Sequence, residues 1–374
     1  MTMMTHPPTM TRLVVKVGTS VLTDERGRLL PERMRHLVSQ VAQACRAQRQ
    51  VVLVTSGAVA CGMAALGLSA RPKGLAQLQA CAAIGQGALM HRYTTLFARR
   101  RMLTAQVLLT QDDLAHRQRF RNAKQTLLTL LHRRVVPIVN ENDTVSVEEI
   151  TFGDNDRLAA LVAAAVDAQL LVILSDVEGF VRDGRVVDRI EAVTHDLRSA
   201  VRDRRRATTK GGMASKLEAA RIVGHSGIPL ILANGARPDV LADVLAGNPV
   251  GTLFVPPVNR LRPAQWWLAF AMRRPRGGII IDAGAVRAVV ESRRSLLATG
   301  VTAVRGPFEA GAYVAVCDSA GREIARGVCR LSSDQLSRVR GLRSAEAAVA
   351  LGLGRAPEVI HRDHLVVTGE VGHG

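Results

Sequence analysis

The sequence predicts an α/β protein: an open, mostly parallel sheet sandwiched by helices, followed by a small β-barrel-like domain. Three observations predict it. Short continuous apolar runs alternate with helical stretches as far as Phe254, which is how strands buried on both faces and joined by helical crossovers read. Past Pro256-Pro257 and an arginine-rich join, the period shortens from Gly277 and Gly and Val become common, as in short antiparallel strands. A length of 374 residues leaves room for two or three domains, each with its own core.

In order, residues 1–11 read as a disordered leader in which Met10 offers a second start. The first domain spans 12–256. Its strands are expected at Leu13–Val17, Val51–Thr55, Ala105–Leu109, Val135–Val139, Leu170–Leu174 and Leu230–Ala233. Amphipathic or alanine-rich helices are expected at Pro31–Arg49, Leu75–Arg100, Arg117–Arg133, Leu158–Ala168 and Met213–Ser226. Residues 257–276 form a linker. The second domain, 277–365, carries strands at Gly278–Asp282, Val301–Val304, Tyr313–Val316 and Ile324–Val328, turns at Gly306, Gly311 and Gly321, and helices at Ser333–Arg340 and Ser344–Leu351. Residues 366–374 form a tail.

Composition narrows the function. No apolar run approaches the roughly eighteen residues of a membrane span, and the start lacks the layout of a signal peptide. The five cysteines are scattered and contain no C-x-x-C, which argues for reduced structural thiols in a cytoplasm. The net charge is +18, nearly all of it arginine. Aromatics make up only 3 %, poor material for stacking nucleic-acid bases, and the basic residues are spread along the chain. The charge reads as a compositional habit more than a nucleic-acid surface, and it suits anionic substrates either way.

Polar residues gather where strands end. The first strand ends Lys16-Val17-Gly18-Thr19-Ser20, and the second ends Thr55-Ser56-Gly57 before a helix. The fourth ends in Asn140-Glu141-Asn142-Asp143, and Gly153-Asp154-Asn155-Asp156 opens the next helix. The fifth ends Ser175-Asp176, and Thr209-Lys210-Gly211-Gly212-Met213-Ala214-Ser215-Lys216 precedes a further helix. Ligands of open α/β sheets sit at such strand ends, and glycine-flanked backbone N–H groups with lysines hold phosphate. No Ser/His/Asp triad suggests itself. The inventory suits phosphoryl transfer, in which the protein positions groups and neutralises charge.

Together these motifs resemble the amino acid kinase family, and within it the glutamate 5-kinases; the C-terminal part resembles a PUA domain. The likeness rests on Lys16-Val17-Gly18-Thr19-Ser20, Thr55-Ser56-Gly57, Asn140-Glu141-Asn142-Asp143, Gly153-Asp154-Asn155-Asp156, Ser175-Asp176 and Gly211-Gly212-Met213-Ala214-Ser215-Lys216. It implies ATP and L-glutamate as substrates, magnesium, L-glutamyl 5-phosphate as product and a place at the first step of proline biosynthesis. By the same resemblance Lys16 and Lys216 flank the transferring phosphoryl group and Asp156 holds them. Ser56, Asp143, Asn155 and Asp154 take glutamate. Lys16, Ser175, Asp176 and Lys210 to Lys216 line the nucleotide site, and no residue is assigned to the metal. Proline as feedback inhibitor, a homo-oligomer and weak RNA binding through the PUA domain are further implications.

The chemistry agrees. A glutamate side chain has a pKa of about 4.3, so the nucleophile is already ionised at neutral pH and needs no base. Lys210 departs from the usual glycine loop, and 198–206 is unusually basic. The alternatives are another small-acid or nucleotide kinase of this fold, or an RNA-binding PUA protein with a vestigial kinase domain.

Overall fold

The computed structural model describes residues 11–24, 28–145, 154–191, 193, 197, 212–258, 260–272, 275–355 and 357–367. The leader 1–10, the basic run at 198–206, Lys210, Gly211 and the tail from 368 lie outside the described residues. The chain forms two compact units, Met1–Arg260 and Leu261–Gly374.

The first unit runs β1 (Arg12–Val17), α1 (Thr19–Leu22), α2 (Pro31–Arg46), β2 (Gln50–Val54), α3 (Ala58–Ala65), α4 (Leu75–Ala98) and β3 (Thr104–Leu109). It continues with α5 (Gln111–Ala115), α6 (Arg117–His132), β4 (Val136–Glu141), α7 (Asp154–Ala165), β5 (Leu170–Ser175), β6 (Val181–Arg182), β7 (Arg185–Val186) and β8 (Arg189–Ile190). The described part closes with α8 (Gly212–Gly224), β9 (Leu230–Asn234), α9 (Val240–Ala246) and β10 (Thr252–Phe254). Eight strands make one sheet in the order β3-β4-β2-β1-β5-β9-β10-β8. From β3 to β9 all neighbours are parallel; β10 turns antiparallel on β9. The chain reaches β2 on one side of β1 and β5 on the other, so the sheet has its topological switch point at β1, with the carboxyl ends of β1, β2, β4, β5 and β9 on one edge.

Residue choice explains the layers. Leu13, Val14, Val15 and Val17 of β1 are fully buried, and β4 and β5 are buried throughout, as a sheet covered on both faces requires. Helix α2 starts on Pro31, favoured at the first helical position, and buries Met34, Leu37, Val38, Val41 and Ala44 along one stripe. Helix α7 is buried on every side from Leu158 to Ala163, and its alanines let neighbours approach closely. Helices α3 and α4 cross backbone to backbone. A Cβ on Gly62 would sit 1.8 Å from the Cys81 carbonyl oxygen, and one on Gly85 1.8 Å from that of Ala58, so only glycine fits at either point.

Two expected boundaries move at the polar strand end. Strand β4 continues through Asn140 and Glu141, because β3 pairs with it as far as Leu109↔Glu141; these side chains are buried in the strand instead of following it. Helix α7 begins at Asp154 and not at Leu158, so Asn155 and Asp156 occupy its first turn, where carboxylates complement the helix dipole. Helix α2 stops at Arg46, short of the expected Arg49, and Gln48 turns to a left-handed φ of 63°.

The second unit contains α10 (Pro263–Trp266), a π-helical turn at Trp267–Ala271, β11 (Gly277–Ile281), α11 (Ala283–Val290), β12 (Val301–Arg305), β13 (Tyr313–Cys317), β14 (Glu323–Val328), α12 (Ser333–Val339), α13 (Ser344–Leu351) and β15 (Leu365–Val367). Its sheet runs β12-β11-β13-β14-β15, antiparallel except between β11 and β13. Ile279, Ile281, Val314, Val316, Leu336 and Val339 form its core. Gly306, Gly311 and Gly321 take φ of 70°, 86° and 80° at the expected turns. The stretch read as a linker holds the buried Trp266, and the Tyr313 hydroxyl donates to the Leu268 carbonyl at 2.6 Å.

Candidate active site

The β1 strand delivers Lys16 to the switch point with its side chain buried. Gly18 follows, and its N–H donates to the Leu174 carbonyl at 3.0 Å, tying the ends of β1 and β5. From the other side α7 presents Asp156, which is fully buried. Lys16 Nζ lies 2.6 Å from Asp156 Oδ1 as an ion pair. Lys216 Nζ, from the first turns of α8, donates to Asp156 Oδ2 at 3.2 Å and to the Gly212 carbonyl at 3.1 Å. Ser215 Oγ donates to Asp156 Oδ2 at 2.9 Å. One carboxylate therefore gathers two ammonium groups from distant parts of the chain. Burial opposes its ionisation more than any other single influence, but Lys16, Lys216 and the Ser215 hydroxyl together outweigh this and hold the carboxyl below its usual range.

The chain holds only five lysines among 50 basic residues, and two of them meet here. A compact ammonium meets one oxygen of a shared carboxylate as a point charge, whereas the fork of a guanidinium is suited to both. A second clamp lies alongside: Arg157 Nη1 meets Glu218 Oε1 at 3.4 Å and Arg221 Nη2 meets the same oxygen at 2.7 Å. It joins α7 to α8, the two helices that carry Asp156 and Lys216.

A run of neutral groups links the ends of β2 and β4. The two hydrogens of Asn155 Nδ2 are shared among three acceptors, the Thr55 carbonyl at 2.9 Å, Ser56 Oγ at 2.9 Å and Asn140 Oδ1 at 3.1 Å. Asn140 Nδ2 donates in turn to Gln86 Oε1 of α4 at 2.8 Å. The hydroxyls of Thr55 and Tyr93 are 2.9 Å apart and buried, and burial raises the Tyr93 phenol. Gly57 takes a φ of 103° as it turns the chain into α3. Asp143 lies half-buried just past β4. Its charge reaches the half-buried Arg71, whose guanidinium is pushed down by burial and supported by Asp143.

The third group lies at the β5 and β9 ends. Ser175 is buried and donates to Asp176 Oδ1 at 3.0 Å, while Asp176 is exposed. The Gly235 N–H donates to the Ser175 carbonyl at 2.8 Å, and Asn234 Nδ2 donates to Glu178 Oε1 at 2.6 Å. Gly212, Met213 and Ala214 open α8, half-buried. The dipole of this thirteen-residue helix favours an anion there.

The model of the amino acid kinase family matches residues 11–234, and that of the PUA domain matches residues 277–350. The chain belongs to the amino acid kinase family. It is 45 % identical over 365 residues to the glutamate 5-kinase of Moorella thermoacetica, covering 96 % of each. It is 46 % identical over 366 residues to that of Thermus thermophilus, covering 96 % of this chain and 98 % of the relative. The solved structure of Giardia carbamate kinase shares the fold, with a TM-score of 0.50 at 18 % identity over 66 % of this chain and 99 % of that one.

Within this amino acid kinase, Lys16, Asp156, Ser215 and Lys216 come together, as do Ser56 and Asn155, and Ser175 with Asp176. Asp154 opens α7, while its side chain, like Lys210 and Gly211, lies outside what the structure describes. Sequence reading passed over Arg71, Gln86 and Tyr93, which lie in or before an alanine-rich helix and carry no motif. A glutamine set between Gly85 and Gly87 was the signal available for Gln86.

Proposed function

We infer that this amino acid kinase transfers the γ-phosphoryl group of ATP to the side-chain carboxylate of L-glutamate, giving ADP and L-glutamyl 5-phosphate, the first step of proline biosynthesis. The end-to-end likeness to glutamate 5-kinases carries the reading.

The site chemistry is consistent with it. An ionised carboxylate must approach an anionic phosphate, so the barrier is one of charge. In this reading Lys16 and Lys216 flank the transferring phosphoryl group, and Asp156 holds both before substrate arrives, so little reorganisation is left for the reaction itself. Ser56, Asp143 and Asn155, with Asp154, take glutamate. The Asp143 carboxylate grips the α-ammonium and disfavours substrates acylated there, since an acylated nitrogen offers it no charge to pair with. Ser175, Asp176 and the start of α8 at Lys210 to Lys216 take the nucleotide. Among the described residues no cluster of three or more His, Cys, Asp or Glu side chains could hold a metal, and Asp156 is committed to two lysines. Magnesium is expected with ATP, where it would neutralise charge on the phosphates.

Proline, as an amino acid that overlaps the glutamate subsite, is the expected feedback inhibitor. The PUA domain is expected to bind RNA weakly, the chain to form a homo-oligomer and the enzyme to work in the cytoplasm.

The test is ADP release from magnesium-ATP with glutamate, N-acetylglutamate, aspartate and uridylate offered in parallel, and with hydroxylamine trapping any acyl phosphate. Glutamate-dependent hydroxamate is expected. Turnover only with another acceptor would reassign the subsite, and silence with all four would favour the RNA-binding alternative.

A further inference from the structure

We propose that Gln86 is a positioning residue of the amino-acid subsite: acting through Asn140, it braces the Asn155 amide in the direction that leaves its oxygen for the substrate. The identity of that substrate rests on the glutamate reading above.

The starting point is a chain of three side-chain amides. Gln86 Oε1 accepts from Asn140 Nδ2 at 2.8 Å. Asn140 Oδ1 accepts from Asn155 Nδ2 at 3.1 Å and from the Glu141 backbone N–H at 3.0 Å. Asn155 Nδ2 also donates to the Thr55 carbonyl at 2.9 Å. An amide side chain turned over exchanges donor for acceptor, so its direction must come from its neighbours. Two backbone groups supply it here. The Glu141 N–H only donates, so Asn140 must meet it with oxygen. The Thr55 carbonyl only accepts, so Asn155 must meet it with nitrogen. The nitrogen of Asn140 then faces Gln86, which answers with its own oxygen, and the whole chain runs one way.

One atom is left over at each end. Asn155 Oδ1 and Gln86 Nε2 are buried without a hydrogen-bond partner among the described residues. Buried polar atoms of this kind call for an explanation, and a ligand is one. The ammonium group of an amino acid is a pure donor. It finds an acceptor on Asn155 only while the chain keeps its present direction; reversed, Asn155 would turn N–H groups toward a donor. Ser56 Oγ accepts from the same Asn155 nitrogen, which leaves the serine hydrogen to donate to an anionic group of the same molecule.

Helix packing holds Gln86 in place. Its neighbour Gly85 lies against the Ala58 backbone, where no side chain fits. Seven residues further along the same face of α4, Tyr93 shares a hydrogen bond with Thr55. One helix face thus secures the end of β2 through Tyr93 and the end of β4 through Gln86.

The experiment is steady-state kinetics on the full chain with Gln86→Met, which keeps length but loses the acceptor, and Gln86→Glu, which keeps an acceptor oxygen. Gln86→Met is expected to raise the glutamate KM about tenfold or more, with the ATP KM within about twofold of the parent. Gln86→Glu is expected to restore the glutamate KM to within about threefold of the parent. An unchanged glutamate KM in Gln86→Met, a parallel rise in both KM values, or no rescue by Gln86→Glu would overturn the proposal. Should Gln86→Met not fold, Asn140→Asp replaces it. A carboxylate there offers Gln86 no N–H yet still accepts from Glu141 and Asn155, so a raised glutamate KM supports the proposal and an unchanged one overturns it. A parent chain that does not turn over glutamate defeats the substrate reading instead. The crystal structure of the Gln86→Met chain then decides: an Asn155 amide displaced from the Thr55 carbonyl supports the positioning role, and one left in place overturns it.

Discussion

Lys16 and Asp156 meet at 2.6 Å with both side chains closed off from solvent, and the second oxygen of the same carboxylate serves Lys216 at 3.2 Å. Removing that charge while keeping the shape isolates its role. In Asp156→Asn two ammonium groups stay buried against a neutral amide, and breaking a buried pair from one side costs about 3–5 kcal/mol. Urea unfolding should show a loss of that order. The turnover number should fall roughly 10²–10³-fold as the lysines lose their alignment.

The pH dependence follows from the same carboxyl. Its pKa is depressed in the folded chain, so its contribution is fully present above the unfolded value of about 3.9 and is lost as pH falls through the lower folded value. Between pH 5 and 8 this group should leave stability level. Acid titration of unfolding should show the parent weakening below about pH 4, and Asp156→Asn should lack that component.

Lys16→Ala and Lys216→Ala should each fold and each lower kcat by roughly 10²–10³-fold or more. Arginine at either position should rescue poorly, because its fork does not reproduce a point contact on one oxygen. Circular dichroism with single-turnover phosphoryl transfer separates folding from chemistry here. Near-parental turnover in either alanine variant would remove that lysine from the phosphoryl site.

Asp143→Ala should act on binding, raising the glutamate KM about tenfold or more and leaving the ATP KM near its parental value. Initial-rate measurements with each substrate varied in turn check this. An unchanged glutamate KM would take Asp143 out of the subsite.

Gly85→Ala tests the helix crossing. The added methyl would meet the Ala58 carbonyl oxygen at 1.8 Å, so α3 and α4 must part, at a cost of about 1–3 kcal/mol or more. A lower Tm is expected, together with a raised glutamate KM, since Ser56 precedes α3 and Gln86 adjoins the clash.

Much of the fold was legible because a doubly covered parallel sheet writes its strands as unbroken apolar runs, and Leu13–Val17 and Leu170–Leu174 lie within one residue of the observed β1 and β5. The strand end at Asn140 was misplaced because its polarity reads as a turn, whereas pairing with β3 buries it. The lysine and aspartate positions stood out as charges flanked by glycine and small residues. That Lys16 and Lys216 share one carboxylate was expected only through the family resemblance; the residues alone do not show it, since 200 positions separate the lysines and the β1–α7–α8 packing brings them together. Gln86 and Tyr93 escaped notice because their partners, Asn140 and Thr55, lie on strands distant in sequence.

The grip of Asp156 on both lysines bears on the fate of the product. An acyl phosphate acylates amines, and on the proposed reaction one forms next to two of them. An ammonium group docked on a carboxylate has no lone pair to attack with. The pairing that steadies phosphoryl transfer thus also tethers both nitrogens to Asp156, which limits their approach to the activated product.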